Sequence, residues 1–320
     1  MNRHPRFVLL ACLGLALAGV LFIEVPALSG KQEHATGATP PDDGKLRIIG
    51  FGAHPDDNEF RAGGVAAMWA DQGHHVKFVS VTNGDIGHFQ MAGGPLAQRR
   101  TREVQRSAEV LGIATQVLDI HDGELMPTLE NRRTITRLIR EWKADIVMAH
   151  RPNDYHPDHR YTGVLVQDAA FMVTVPFICP DTEPLERNPI FVYYSDGFQR
   201  PNPFTADVAV AIDEVFQKKI DAVDALVSQV YEGGALGSEE QLRQVPTDPA
   251  GRRAWAEERH GNRYARDANR FRESLIRWYG PERGRQAKYA EAFEVCEYGR
   301  QPSEEELKRL FPFFPDSPKE

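Results

Sequence analysis

Short apolar runs alternate with longer amphipathic stretches over the first half of the chain. Leu46 to Ala53, Val76 to Thr82, Gln116 to Ile120 and Asp145 to His150 are compact runs rich in Val, Ile, Phe and Leu, as buried strands are. Between them, Gly63 to Gln72, Leu96 to Leu111 and Arg132 to Trp142 repeat apolar residues at three- and four-residue spacing, the signature of helices with one buried face. Strands alternating with helices at the spacing of crossover connections predict an α/β fold: a mostly parallel sheet with helices on both faces. In such sheets ligands bind beyond the carboxyl ends of strands.

The second half is less periodic. A helix is expected to about Met172, then a proline-rich stretch from Pro176 to Pro189, and strands at Ile190 to Ser195 and Asp207 to Ile212. Glu214 to Tyr231 has helical periodicity, and the charged stretch from Arg252 to Tyr279 reads as helix, which together give a C-terminal helical elaboration. The tail from 301 to 320 carries no usable pattern, and no internal repeat of fixed period is present.

The N-terminus departs from this pattern. Arg3, His4 and Arg6 precede an apolar run from Phe7 to about Ile23, and small residues follow around Ala27 to Gly30. Residues 1–29 therefore read as an export signal, with an uncleaved N-terminal anchor, and so a membrane tether, as the alternative. Either places the folded part outside the cytoplasm, in the periplasm or beyond the cell. Residues 30–44, rich in Gly, Pro, Thr and Asp, read as a flexible linker, and the folded domain is expected over 45–300. Without the signal, Cys179 and Cys296 are the remaining cysteines; a disulfide and two buried thiols are both open.

Composition adds little. With 41% hydrophobic and 26% charged residues the chain sits in the globular range, and neither figure selects a function. A formal net charge of -8, with no Lys/Arg block, argues against a nucleic-acid partner and favours a small-molecule or glycan substrate.

Two clusters of metal-binding residue types carry the chemistry, and each directly follows a predicted strand. The first is His54-Pro55-Asp56-Asp57-Asn58-Glu59. His54 and Asp57 are three apart, so a turn brings imidazole and carboxylate to one side, while Asp56 points elsewhere and can face a bound water. A Pro-Asp turn that merely caps a helix is the plainer reading of this cluster alone. The second is Asn153-Asp154-Tyr155-His156-Pro157-Asp158-His159, in which His156 and His159 again share a face. Two His and one Asp would make three protein ligands with an open position, the arrangement of catalytic zinc, which lowers the pKa of its water to about 7. The same donors suit iron or cobalt. A further carboxylate must take the water's proton, and the spare histidine could stabilise the oxyanion or protonate the leaving amine.

These segments resemble the LmbE-like (PIG-L) de-N-acetylases. The resemblance runs through the first cluster, Thr82-Asn83-Gly84, Arg100 with Glu103, Leu111-Gly112, Asp122-Gly123-Glu124-Leu125, His156-Pro157-Asp158-His159 and Ala290-Glu291-Ala292-Phe293, about residues 45 to 300. It implies a Rossmann-like sheet, with His54, Asp57 and His159 as zinc ligands and Asp56 as general base. It makes His156 the oxyanion stabiliser or general acid, has Asp158 orient a neighbouring imidazole, and places Arg100 near the acyl pocket. The sequence departs from the family at Asp154, where some members have Tyr, and at Leu226-Val227 before Ser228-Gln229, where a His is usual. His88, in the glycine-rich stretch from Gly84 to Gly94, is a candidate substrate contact on a loop over the site.

The expected activity is hydrolysis of an N-acyl group, foremost N-acetyl, on an amino-sugar substrate. Another amide hydrolase on the same metal site, acting on a thiol conjugate or peptide-like amide, is the nearest alternative; a non-catalytic sugar-binding protein is the other. A serine hydrolase is disfavoured because no Gly-x-Ser-x-Gly elbow follows a strand. A dinucleotide fold is disfavoured because the first strand runs into His-Pro-Asp-Asp instead of a glycine-rich turn.

Overall fold

The computed structural model describes residues 42–315. The expected signal or anchor over 1–29 and most of the linker over 30–44 lie outside the described residues. Among the described residues no helix is long and apolar enough to cross a membrane.

In chain order the elements are β1 (Arg47–Gly52), α1 (Asp57–Asp71), β2 (His75–Ser80), α2 (Gly94–Leu111), β3 (Ala114–Val117), α3 (Leu129–Trp142), β4 (Ile146–Ala149) and α4 (Pro157–Met172). Then follow β5 (Ile190–Tyr194), β6 (Val208–Ala211), α5 (Phe216–Asp224), α6 (Val227–Val230), α7 (Glu239–Gln244), α8 (Pro249–Arg270), α9 (Arg272–Gln286), β7 (Ala290–Gly299) and α10 (Glu304–Leu310). One seven-stranded sheet runs in the order β3-β2-β1-β4-β5-β7-β6. The first five of these strands pair in parallel, and β7 pairs antiparallel with both β5 and β6. This is the expected mostly parallel α/β sheet.

Successive side chains of a strand point to opposite faces, so each central strand feeds two cores. Ile48, Phe78, Met148 and Val192 pack with α1, α5, α8 and α9 on one face. Ile49, Val79, Val147 and Phe191 pack with α3 and α4 on the other. Helices thus cover both faces, as a buried parallel sheet requires.

Several elements differ from the expectation. The first helix begins at Asp57, six residues before Gly63, so it includes part of the first cluster. The segment from Glu214 to Tyr231 is not one helix: Leu226 leaves helical geometry (φ −86, ψ 56), and the Glu103 carboxylate accepts the Ser228 amide (3.0 Å) and hydroxyl (2.6 Å) there. Strand β7 was not anticipated, since its glutamates hide an alternating pattern. One of them, Glu291, is buried against Lys219 at 2.6 Å. Beyond the expected domain end at 300, Leu307, Leu310 and Phe311 of the tail are buried in the core, and the Leu310 carbonyl accepts from the Trp69 indole.

Strands β1 and β4 are parallel neighbours, with Phe51 opposite Ala149. The chain moves from β1 to β2 and β3 on one side, and from β4 to β5 on the other. The gap between the carboxyl ends of β1 and β4 is therefore the switch point where such sheets bind ligands, and both clusters open there.

Candidate active site

Beyond β1 the chain turns sharply: the His54 carbonyl accepts from the amides of Asp56 (2.9 Å) and Asp57 (3.3 Å), and α1 starts at Asp57. Gly52 makes the turn possible, because a Cβ there would stand 2.8 Å from Asp57 Cβ and 2.9 Å from Asn58 Nδ2. Asp56 occupies the N-cap position of α1 yet makes no capping hydrogen bond. The plainer helix-cap reading of this cluster thus fails for its central carboxylate, which is turned to other work.

Three ligand-type atoms converge over the turn. His159 Nε2 lies 3.2 Å from His54 Nδ1 and 3.4 Å from Asp57 Oδ2, and His54 Nδ1 is 3.4 Å from the same carboxylate oxygen. Donors about 2.0–2.1 Å from a tetrahedral ion stand roughly 3.3 Å apart, so this triangle fits zinc without rearrangement. The Asp57 carboxylate is fixed by the His54 amide at 2.8 Å. Burial favours its neutral form, but its histidine neighbours, His159 foremost, outweigh that and hold it well below the usual carboxylate range.

The remaining ring nitrogens face carboxylates. His54 Nε2 is 3.1 Å from Asp122 Oδ1 and 3.3 Å from Asp158 Oδ2, and His159 Nδ1 is 3.0 Å from Asp154 Oδ1. A proton drawn to those outer nitrogens would leave His54 Nδ1 and His159 Nε2 free to act as ligands, which is how carboxylates set the tautomer of metal-binding histidines. Asp158 is itself held by the amides of Gly123 (2.7 Å) and Leu125 (3.3 Å).

His150 also approaches Asp57, at 3.3 Å, and could complete a different triad with Asp57 and His159. Its Nε2, however, accepts the Ala53 amide at 3.2 Å, and burial pushes its pKa down to about 4. It is a neutral ring stacked on His159, with centroids 4.2 Å apart, and it braces that side chain.

Asp56 Oδ2 is 3.2 Å from Arg100 NH2. Burial raises the Asp56 pKa, and Arg100 opposes the rise only in part. Arg100 is itself buried and donates to the carbonyls of Gly84 (3.2 Å) and Pro55 (3.4 Å). His156 caps α4, its Nδ1 accepting the Asp158 amide at 3.2 Å, so the ring proton sits on Nε2. Burial lowers its pKa, and the neighbouring His54 and His159 lower it further.

The metal-ligand group opens onto a cleft of about 340 Å³, within the range of small-molecule sites. His54, Asp56, Asp57, Arg100, His156 and His159 line it, and Asp158 sits beneath His54. His88, expected to reach substrate, does not line the cleft: its Nε2 faces Glu232 at 2.9 Å, and its Nδ1 accepts the amides of Gln90 and Met91. It knits one wall together from behind.

The sequence reading assigned no role to Asp122 or Asp154. Their signal was proximity to candidate ligands: Asp154 is five residues before His159, and Asp122 begins a turn after β3 at the same sheet edge. A polar residue at a strand's carboxyl end in an α/β sheet stands where ligands bind. Cys179 and Cys296 are both free and buried.

Residues 49–170 match the family model described as PIG-L, GlcNAc-PI de-N-acetylase. Over 197 residues the chain is 32% identical to diacetylchitobiose deacetylase of Thermococcus kodakarensis, covering 58% of this chain and 71% of that protein. It is 23% identical over 187 residues to 4-oxalmesaconate hydratase of Pseudomonas putida, covering 56% and 72%. The solved structure of N,N'-diacetylchitobiose deacetylase from Pyrococcus horikoshii shares the fold, with a TM-score of 0.60 at 22% identity over 78% of this chain and 83% of that one.

Proposed function

The chain belongs to the PIG-L family of de-N-acetylases, and from that premise we propose that it is a zinc-dependent hydrolase that removes the N-acetyl group of an amino-sugar substrate. The observation that carries this reading is the triangle of His54 Nδ1, Asp57 Oδ2 and His159 Nε2, with edges of 3.2–3.4 Å, beside an uncapped Asp56. Relatives named as deacetylases of acetylated sugars support the substrate class.

His54, Asp57 and His159 would hold the ion, which when bound supplies an acidified water and polarises the amide carbonyl. Asp56 takes the proton of the attacking water; its raised pKa makes it a better base than an exposed aspartate. The water oxygen bonds to the amide carbon, and His156 Nε2–H meets the negative charge that develops on the carbonyl oxygen. As the C–N bond breaks the proton passes to the amine, giving acetate and a free amino sugar. Arg100 holds Asp56 in place. With the N-terminal residues read as an export signal or anchor, the substrate is met outside the cytoplasm.

The test is acetate release from N-acetylated amino sugars by metal-replete, chelator-treated and Asp56→Ala protein. Release should stop with the chelator, return with zinc, and fall about 10²–10⁴-fold in Asp56→Ala with metal content retained. Release that survives both treatments would sink the mechanism. Water addition to an alkene, as the Pseudomonas putida relative's name indicates, is the second reading; turnover of an unsaturated acid with no acetate from any amide would favour it.

A further inference from the structure

Nine large hydrophobic side chains are exposed among the described residues, and three of them, Ile86, Tyr155 and Leu236, line the cleft over the metal-ligand group. They come from three separate segments: the loop after β2, the loop after β4, and the turn after α6. Tyr155 is 73% and Leu236 92% exposed. The floor beneath them is charged and the rim is apolar.

The rim is held in place. Glu232 takes a bidentate pair from Arg99 at 2.7 and 2.8 Å and faces His88 at 2.9 Å. The Gly234 carbonyl accepts the Phe89 amide at 3.0 Å, and Gln229 donates to the Gly87 carbonyl at 3.0 Å. These bonds tie the Ile86 loop to the Leu236 turn. Gly234, at φ +60, lets the turn close; a Cβ there would stand 2.6 Å from Gln229 Oε1. Leu236 is thus presented to water by a tethered turn. Apolar groups clustered at the mouth of a polar site mark a binding surface.

This inference rests on the amide-hydrolase reading and deepens it. An acetyl group is small and is taken up at the floor, so the part of the substrate that leaves through the mouth is the amine side, the sugar and whatever it carries. Ile86 and Leu236 offer nothing to sugar hydroxyls. We propose that Ile86, Tyr155 and Leu236 form a subsite for an apolar or aromatic aglycone, so that the preferred substrate is an amphipathic glycoside of an N-acetylated amino sugar.

Steady-state kinetics on the methyl and benzyl glycosides of N-acetylglucosamine test this. The benzyl glycoside should have the higher kcat/KM by about tenfold, through KM, since a few carbons buried in an apolar subsite discriminate by that order. In Leu236→Ser and in Tyr155→Ser that ratio should fall to about two or less. Both side chains are largely exposed, so neither change removes core packing, which unchanged melting temperatures would verify; because Tyr155 stands edge-on to His156 and His159 (centroids 5.8 and 5.5 Å), its variant is read by the ratio of the two glycosides and not by absolute rate. Equal kcat/KM for the two glycosides in the native protein overturns the subsite, as does a ratio that both variants keep. A gain on lengthening the N-acyl chain, with none from the benzyl group, overturns the assignment to the amine side. Hydrolysis of neither glycoside, nor of any other amide, sinks the amide-hydrolase reading itself; hydrolysis of both at equal efficiency sinks the subsite alone.

Discussion

Asp154 shows how much of the site is settled one residue away from the ligands. It fixes the His159 ring through Nδ1 at 3.0 Å and its own main chain supports Arg160. Asp154→Ala should weaken metal binding about 10–100-fold, read by competition against a chromophoric chelator; unchanged affinity would show that His150 stacking alone orients His159. Glu59 makes a second prediction, about stability. Burial raises its pKa from 4.5 to about 8, and its Oε2 has no hydrogen-bond partner. Between those pH values the folded chain keeps a proton that the unfolded chain releases, so unfolding free energy should fall as pH rises, by at most about 1.4 kcal/mol per pH unit. Glu59→Gln removes that dependence. Denaturant midpoints of chelator-treated protein at pH 5 and pH 8 should therefore diverge between native and variant, and parallel profiles would refute a buried neutral Glu59. At this scale what was legible is local: His54 and Asp57, three apart, share one side of a turn, and the structure brings His159 to them, while the roles given to His159 and Asp56 came from the family resemblance. Asp122 received no role and His88 was expected at the cleft, because the partner of each, His54 and Glu232, is far away in sequence.

Among the elements, legibility tracked how local the determining forces are. The α1–β2–α2 and α3–β4 units followed from periodicity because strand and helix bury against each other. Leu226 could not be foreseen as a helix break, because the cause is Glu103 on α2, 125 positions away from Ser228. The same polar seam supports a prediction about the cleft wall. Glu232 joins Arg99 of α2 to His88 of the loop after β2. Glu232→Ala should release both the segment around Gly87 and the turn around Gly234. Hydrogen exchange should rise by about tenfold or more at the amides of Phe89 and Gly237, with core strands unaffected. KM should rise while metal affinity stays unchanged. Unaltered exchange at both positions would mean that the main-chain bonds alone hold the wall.

For the whole molecule, the parallel half was readable and the closing of the sheet was not. β7 enters between β5 and β6 from the far end of the chain, and it buries a charge, Glu291, among its apolar residues Ala290, Ala292 and Phe293. Glu291 accepts from the amides of Gly64 (3.0 Å) and Val65 (2.7 Å) on α1, and from Lys219 of α5 at 2.6 Å. Lys219 also donates to the Glu59 and Phe60 carbonyls. One fully desolvated cluster thus ties the last strand to the helix that carries Asp57. Removing one member of such a pair strands the other, at a cost of about 3–5 kcal/mol. Glu291→Ala should reach or exceed that range because two amides lose their carboxylate partner and the buried ammonium loses its counter-charge, while Lys219→Met should cost less, since the amides still satisfy the carboxylate. In the double variant Glu291→Ala with Lys219→Met the loss should fall short of the sum by about 1 kcal/mol or more. Urea unfolding midpoints of the four proteins measure this, and strict additivity would show that the two groups contribute independently and that packing alone holds β7 in register.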